Sequence, residues 1–302
     1  MEEQDPCCPA CRCRSLVHWF VKTTPSGHYG IDRCRNCSSA FVLPRPSLSE
    51  IKKFYQDISY RSEECKAAEV RFAHVMEHEN IYPNSTLDAD RMTETCKRFA
   101  TGARFLDVGA GYGFFSRAAA ARGFEVRALE PARSCREVFA LMNGFRPDPH
   151  MLEKDFVEQN KSAFDVVLLS QVLEHIIDLH EMTGFLGELL GDGGVVAVAV
   201  PQFRSLVSRI QGRGDMFIVP PEHLNFFTLL GLKRLFEHHG FEILAWETVS
   251  RFDPRKFCGK LYQRSLGVIA AQALRTVFRT ADALGYGMYL NLYCRKGAKN
   301  AL

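Results

Sequence analysis

The 302-residue sequence predicts an α/β chain, a doubly wound and mostly parallel sheet preceded by a small cysteine-rich module. Three observations predict it. From residue 104 onward, short β-rich runs alternate with helical patterns, as parallel strands joined by crossover helices require. A glycine-rich turn, FLDVGAGYGFF at 105–115, separates the first of those strands from its helix. Ligands bind at this position in open α/β sheets. Finally, six of the eleven cysteines lie before residue 40.

Composition narrows the function classes. Hydrophobic residues make up 46% and charged residues 24%, which excludes wholesale disorder and fibrous architectures. Lys+Arg number 38 against Asp+Glu 35, a formal charge of +3. A protein that lives on a phosphate backbone carries a stronger basic excess, so nucleic acid is a possible partner but not the favoured one. The start, MEEQDPCCPACRCR, is acidic and cysteine-rich without an apolar targeting region. The most apolar run, VVAVAV at 195–200, is strand-sized. These features predict a cytoplasmic protein without membrane spans, and the oligomeric state is left open.

Residues 1–45 read as a separate module. Cys8-Pro-Ala-Cys11 and Cys34-Arg-Asn-Cys37 are C-x2-C pairs 22 residues apart, close to the paired spacing that reads as zinc. Four thiolates close a tetrahedral Zn²⁺ site with no open position, so the expected role is structural. A 45-residue segment with few large apolar residues has too little core to fold unaided, and the metal would contribute folding energy. Cys7 and Cys13 are spare, and either could displace Cys8 or Cys11 from the ligand set. The prolines of LPRPS (43–47) end the module. Ser47 and Glu50 form a capping box for a helix start. Residues 46–100 are expected to be a helical linker or lid, and residues 101–302 the main domain.

In that domain strands are expected at 103–109, 124–130, 164–170 and 194–201. A helix and strand follow at TLLGLKRLFEHHG and FEILAWETVS, then a helix near 262–284 and a last strand, MYLNLYCRK. The glycine spacing at the turn is G-x-G-x-G over Gly109, Gly111 and Gly113. A dinucleotide fingerprint would need its third glycine at 114, which is Phe114. Asp107, two residues before the first glycine, suits a cationic ligand better than a pyrophosphate.

The turn resembles motif I of class I S-adenosylmethionine-dependent methyltransferases, a resemblance covering roughly 100–250. It implies a Rossmann-like fold with S-adenosylmethionine as cofactor. Glu130, 17 residues after Gly113 and followed by Pro131, matches the family's ribose-binding acid. Asp155 and Phe156 match its adenine contacts after a third strand. Gln171, in FDVVLLSQVLEHI, matches a residue facing the methionine part. The cysteine pattern resembles the zinc-binding domain ahead of sugar and natural-product methyltransferases, in which glycine often stands at the position of Ser38.

The acceptor side is expected in the loop after the fifth strand, at VPPEHLNFFT (219–228). Glu222-His223-Leu224 resembles the active-site segment of sugar C-methyltransferases, which implies His223 as base with Glu222 beside it. DISY (57–60) resembles their lid, which makes Tyr60 a substrate contact. Glu174 and His175 read as structural, at a helix start. The reading is a methyltransferase acting at carbon or oxygen of a small molecule, a sugar nucleotide or natural-product intermediate. Two alternatives are an RNA or protein methyltransferase docked through the basic module (Arg12, Arg14, Arg33, Arg35) and a non-catalytic scaffold.

Overall fold

The computed structural model describes residues 6–51, 67–251 and 265–297. Strands β1 (Leu16–Thr24), β2 (Gly27–Cys34) and β3 (Ala40–Val42) form an antiparallel N-terminal sheet. Helices α1 (Ala68–Ile81) and α2 (Asn84–Phe99) follow. Then come β4 (Arg104–Val108), α3 (Phe114–Ala121), β5 (Glu125–Leu129), α4 (Arg133–Asn143), α5 (Lys154–Gln159) and β6 (Phe164–Ser170). A single 3-10 turn, Leu173–His175, leads to α6 (Leu179–Leu189) and β7 (Leu190–Pro201). The remainder is α7 (Leu206–Gln211), β8 (Asn225–Phe226), α8 (Leu229–His238), β9 (Phe241–Val249), α9 (Ser265–Ala283) and β10 (Tyr289–Lys296).

The main sheet has the order β5-β4-β6-β7-β10-β9. Its first four strands are parallel, and β10 runs antiparallel to both neighbours. Alternate side chains enter two cores. Leu106, Val108, Val167, Leu169, Val196 and Val198 meet α6 and α8 on one face. Phe105, Val166, Leu168, Ala197 and Ala199 meet Met92, Cys96 and Ala119 on the other. Burial of both faces explains why these strands read as continuous apolar runs.

Three expectations need correction. The third strand before Asp155 is absent among the described residues, where only a parallel bridge joins Leu129 to Asp148. Helix α2 is not a linker, because Met92 and Cys96 are fully buried against the sheet. Nor does the N-terminal segment stand apart. Its sheet is completed by β8 through the pairs Ala40–Phe226 and Phe41–Asn225, and Cys8, Cys34, Cys37 and Phe41 belong to the same core as Leu106 and Leu232. A short chain segment with little apolar surface gains stability by sharing a neighbour's core. The capping box is present: Glu50 N donates to Ser47 Oγ at 3.2 Å, and Ser47 N to Glu50 Oε2 at 2.7 Å.

Arg45 locks this junction. Its guanidinium donates to the carbonyls of Leu224 (3.0 Å), Ile176 (2.9 Å) and Ile177 (2.6 Å). Asn225 Nδ2 donates to the carbonyls of Leu173 (3.0 Å) and Ile176 (2.8 Å). Replacing Arg45 with Ala removes all three bonds and takes from Ile177 O its side-chain donor, while Leu224 O keeps Val42 N and Ile176 O keeps Asn225 Nδ2; it is expected to lower the unfolding free energy in urea by at least about 2 kcal/mol. An unchanged urea midpoint would remove Arg45 from this role.

Candidate functional site

The turn after β4 is built by glycines in left-handed backbone: Gly109 (φ 69°), Gly111 (φ 54°) and Gly113 (φ 90°). Two of them show why. At Gly109 a Cβ would stand 2.7 Å from Val172 Cγ2, whereas at Gly111 it would point into open space, with nothing within 4 Å. The first glycine is needed for packing, and the second leaves bare backbone that a ligand can approach closely. Gly109 N and Ala110 N both donate to Leu129 O at 2.9 Å, which ties the turn to the end of β5.

Glu130 stands directly against that turn. Its Oε2 accepts from Gly111 N at 2.7 Å and its Oε1 from Ala132 N at 2.8 Å. Burial raises its pKa, opposed by these two N–H donors. Pro131, the next residue, is exposed at the rim. Asp107 is 1% exposed and lies behind the turn, where Ser116 Oγ donates to its Oδ2 at 2.7 Å. Burial pushes Asp107 up to about 7; the Ser116 hydroxyl opposes this and the charge of Glu130 adds to it. Gln171 directly follows β6 with φ 58°, and its Nε2 is buried without a hydrogen-bond partner among the described residues.

Asp155 and Phe156 are not brought to this turn. Asp155 is exposed in the first turn of α5. The Phe156 ring stacks 6.5 Å from Phe164, at the start of β6, with the Arg127 guanidinium 4.7 Å away. That is the end of β6 remote from the glycine turn. With the third strand missing, residue 148 lies beside Glu130 instead: Glu130 N donates to Asp148 O at 3.0 Å.

On the acceptor side, the β8 segment and the 3-10 turn meet. Leu224 N donates to Glu174 O at 2.7 Å. His223 Nδ1 donates to Phe217 O at 2.8 Å, and His175 Nδ1 to Glu222 O at 2.7 Å. A carbonyl only accepts, so both Nδ1 atoms carry the proton, and the basic lone pair of the His223 ring is on Nε2. The two rings lie 4.9 Å apart, edge to face. A carboxylate oxygen of Glu174 and a nitrogen of each ring fall within 4.8 Å of one another, donor types that a metal also accepts. Both Glu174 carboxyl oxygens are buried without a partner among the described residues. Burial pushes Glu174 up to about 8, with Glu222 adding to it, and pushes His223 down to about 4, with His175 adding to it. Burial thus favours the neutral form of each group in the cluster. A small pocket lined by Pro201, Phe203, Phe217 and His223 opens at the end of β7. Sequence reading took Glu174 and His175 as structural, and their approach to His223 is set only by the β8 docking. Tyr60 lies outside the described residues.

The four cysteines converge. Cys8 Sγ lies 3.6 Å from Cys37 Sγ, and Cys11 Sγ 3.6 Å from Cys34 Sγ; all four fall within 4.8 Å of one another. A tetrahedron with Zn–S bonds of about 2.3 Å has sulfurs about 3.8 Å apart, so the set fits the ion. The two knuckles repeat one hydrogen-bond pattern. Arg12 N donates to Cys8 O and Ser38 N to Cys34 O, while Cys8 N donates to Cys13 O and Cys34 N to Ser39 O. Arg12 (φ 56°) and Ser38 (φ 62°) are both left-handed, so Ser38 adopts the conformation a glycine would. Cys7 and Cys13 are not in the cluster. Thr228, the N-cap of α8, donates to Cys37 O at 2.6 Å, which binds the knuckle to the main domain.

The raised value of Asp107 has a definite sign. The proton is held more tightly in the folded state, so its stabilising contribution is complete below about pH 4 and is lost as pH rises to about 7. Urea unfolding from pH 4 to 8 is expected to show the stability of the wild type, relative to Asp107→Asn, falling across that window. A pH-independent difference would refute the assignment.

Comparison with known proteins matches this arrangement. The family described as "Methyltransferase domain" matches residues 78–245, more than half of the chain. The ubiquinone biosynthesis O-methyltransferase of Methylocella silvestris is 33% identical over 101 residues, 32% of this chain and 40% of that protein. The chain thus spans less than half the length of that relative. The enzyme of the same description from Xanthomonas campestris pv. campestris is 26% identical over 192 residues, 60% of this chain and 76% of that protein. A SAM-dependent methyltransferase from Archaeoglobus fulgidus, 17% identical, shares the fold with a TM-score of 0.51 over 74% of this chain and 99% of that one. Among the described residues no helix is long and apolar enough to cross a membrane. With its glycine turn, rim acid and sheet order accounted for, the chain belongs to the methyltransferase domain family.

Proposed function

We propose that the chain is an S-adenosylmethionine-dependent methyltransferase that methylates carbon or oxygen of a small-molecule acceptor beside the His223 pocket at the end of β7. The observation that carries the reading is the contact of Glu130 with Gly111 N, which puts an acid and open backbone at one point of the rim. The relatives named for ubiquinone biosynthesis support a small-molecule acceptor.

Gly109, Gly111 and Gly113 would cradle the cofactor, and Glu130 would accept from its ribose hydroxyls. The unpartnered Gln171 Nε2 would donate to its polar end, and a bound cation would favour the ionised form of Asp107 beneath the turn. Bound there, S-adenosylmethionine supplies an electrophilic methyl group. The protein's main task is then to align the acceptor and exclude water. His223, fixed by Phe217 O, would offer the Nε2 lone pair to the acceptor's proton. Its low pKa suffices, because a methylated hydroxyl is strongly acidic in the transition state. Glu222 would add negative charge beside it, and Glu174 and His175 would hold the ring's surroundings in place. Tyr60 remains a proposed contact from its sequence context.

The four cysteines, Cys8, Cys11, Cys34 and Cys37, would hold a structural Zn²⁺. Through the β3–β8 pairing and Thr228, that ion would brace the acceptor loop. Residues 1–45 would then act as a bracing element, not as a free docking module.

Glu130→Ala is expected to weaken S-adenosylhomocysteine binding by about 1.5–3 kcal/mol, roughly ten- to over a hundred-fold. In the same calorimetric series His223→Ala should bind normally yet lose methyl transfer. Wild-type affinity in the first variant, or retained turnover in the second, would count against the assigned roles. Stripping zinc with a strong chelator is expected to lower the thermal midpoint and abolish turnover, both restored by Zn²⁺. A metal-free protein of unchanged midpoint would show the thiols to be merely reduced neighbours.

A further inference from the structure

Arginines border a cluster of aromatic rings beside the acceptor pocket. Phe203 is buried and lines the pocket that holds His223. The guanidinium carbon of Arg33, from β2, lies 5.9 Å from its ring and 5.4 Å from the Trp19 ring. Arg204 is next in sequence. Burial, with the charge of Arg204 adding to it, pulls the pKa of Arg33 below the usual arginine value. Arg213 sits 5.7 Å from the Phe20 ring on the same side. Trp19, Phe20 and Phe203 pack in one cluster between the N-terminal sheet and the loop after β7.

These cations have no counter-charge among the described residues. None of Arg33, Arg204 and Arg213 is ion-paired there, and Arg33 Nε is buried without an acceptor. The acids at hand are engaged elsewhere. Asp32 accepts from His18 at 2.8 Å, and Asp215, 2% exposed, accepts from Phe217 N at 3.0 Å. The placement of Arg204 is also enforced. Its backbone is left-handed (φ 69°), held by Ser208 Oγ accepting from its N at 3.1 Å and by Arg209 Nε donating to its O at 2.9 Å. Like charges held together beside an apolar wall repel strongly unless an anion joins them.

We infer that Arg33 and Arg204, with Arg213 at the margin, form a subsite for a phosphate group carried by the acceptor molecule. The inference rests on the reading of the His223 pocket as the acceptor side. Two guanidinium forks match the oxygens of a phosphate, and its charge of about −1.5 to −2 offsets both cations where a carboxylate would offset one. A cluster confined to one aromatic wall fits a small phosphorylated molecule better than a nucleic-acid strand, which needs a basic stripe. Arg33 belongs to the N-terminal sheet, so that sheet would contribute to substrate selection as well as to stability.

The test titrates pyrophosphate into the full-length protein saturated with S-adenosylhomocysteine, read by calorimetry. Binding is expected in the wild type. Arg33→Gln and Arg204→Gln should each weaken it by at least about tenfold, and Arg33→Lys, which keeps charge but not the fork, should fall between. Affinity for S-adenosylhomocysteine and the thermal midpoint should stay unchanged, and if Arg33→Gln fails to fold, Arg204→Gln carries the test. Absence of pyrophosphate binding beside normal S-adenosylhomocysteine binding, or equal binding by both glutamine variants, overturns the subsite alone. A single-stranded oligoribonucleotide that binds with steep salt dependence where pyrophosphate does not would assign the patch to nucleic acid and likewise overturn it. Failure of the wild type to bind S-adenosylhomocysteine would sink the cofactor reading and this subsite with it.

Discussion

One buried guanidinium holds the working end of this molecule together. Arg45 reaches from the proline-flanked end of the N-terminal sheet and donates to three carbonyls on two other segments. Asn225 adds two more bonds to the same 3-10 turn. Loop backbone buried away from water must find partners, and here two side chains supply them. Those bonds reinforce the direct ones, Leu224 N to Glu174 O and His175 Nδ1 to Glu222 O, that join the segments carrying Glu174, His175, Glu222 and His223.

The cysteine knuckles sit within the same arrangement. Their thiols share a core with the main sheet, and their carbonyl and Ser39 hydroxyl engage the N-cap of α8. Gly231 shows how close the approach is: a Cβ there would stand 3.3 Å from Cys37 Sγ and 3.1 Å from Ser39 Cβ. A proposed zinc ion in this place would act on the acceptor loop through packing, with β3 and β8 as the rigid link. That is a positioning role, distinct from docking a partner.

The two ends of the crevice differ electrostatically. The proposed cofactor end gathers two acids, Asp107 and Glu130, whose pKa values burial raises. The acceptor end gathers neutral imidazoles, a carboxylic acid and, further out, unpaired arginines. An anionic acceptor would be drawn toward the arginines and away from the glycine turn, which helps orient it for in-line transfer.

Local chemistry made much of the molecule legible in the sequence. Continuous apolar runs marked the strands, because both faces of the sheet are buried. Glycine at fixed offsets marked the turn, because bare backbone takes φ values such as 54° and 90° without steric cost. Cysteine spacing marked the knuckles, because each forms within a few residues. The positions misread were those whose meaning depends on residues far away in the chain. Asp155 and Phe156 were expected by analogy at the rim, but the third strand that would carry them there does not form. Glu174 and His175 looked like an ordinary helix start until β8, some 50 residues on, brought His223 beside them. The N-terminal segment looked independent because no local signal announces that its sheet takes its last strand from residues 225–226. Periodicity and turn chemistry act between near neighbours and are written in sequence order. Which buried carbonyl meets which side chain, and which charge is left unpaired, depends on packing between distant segments, and only the tertiary structure decided it.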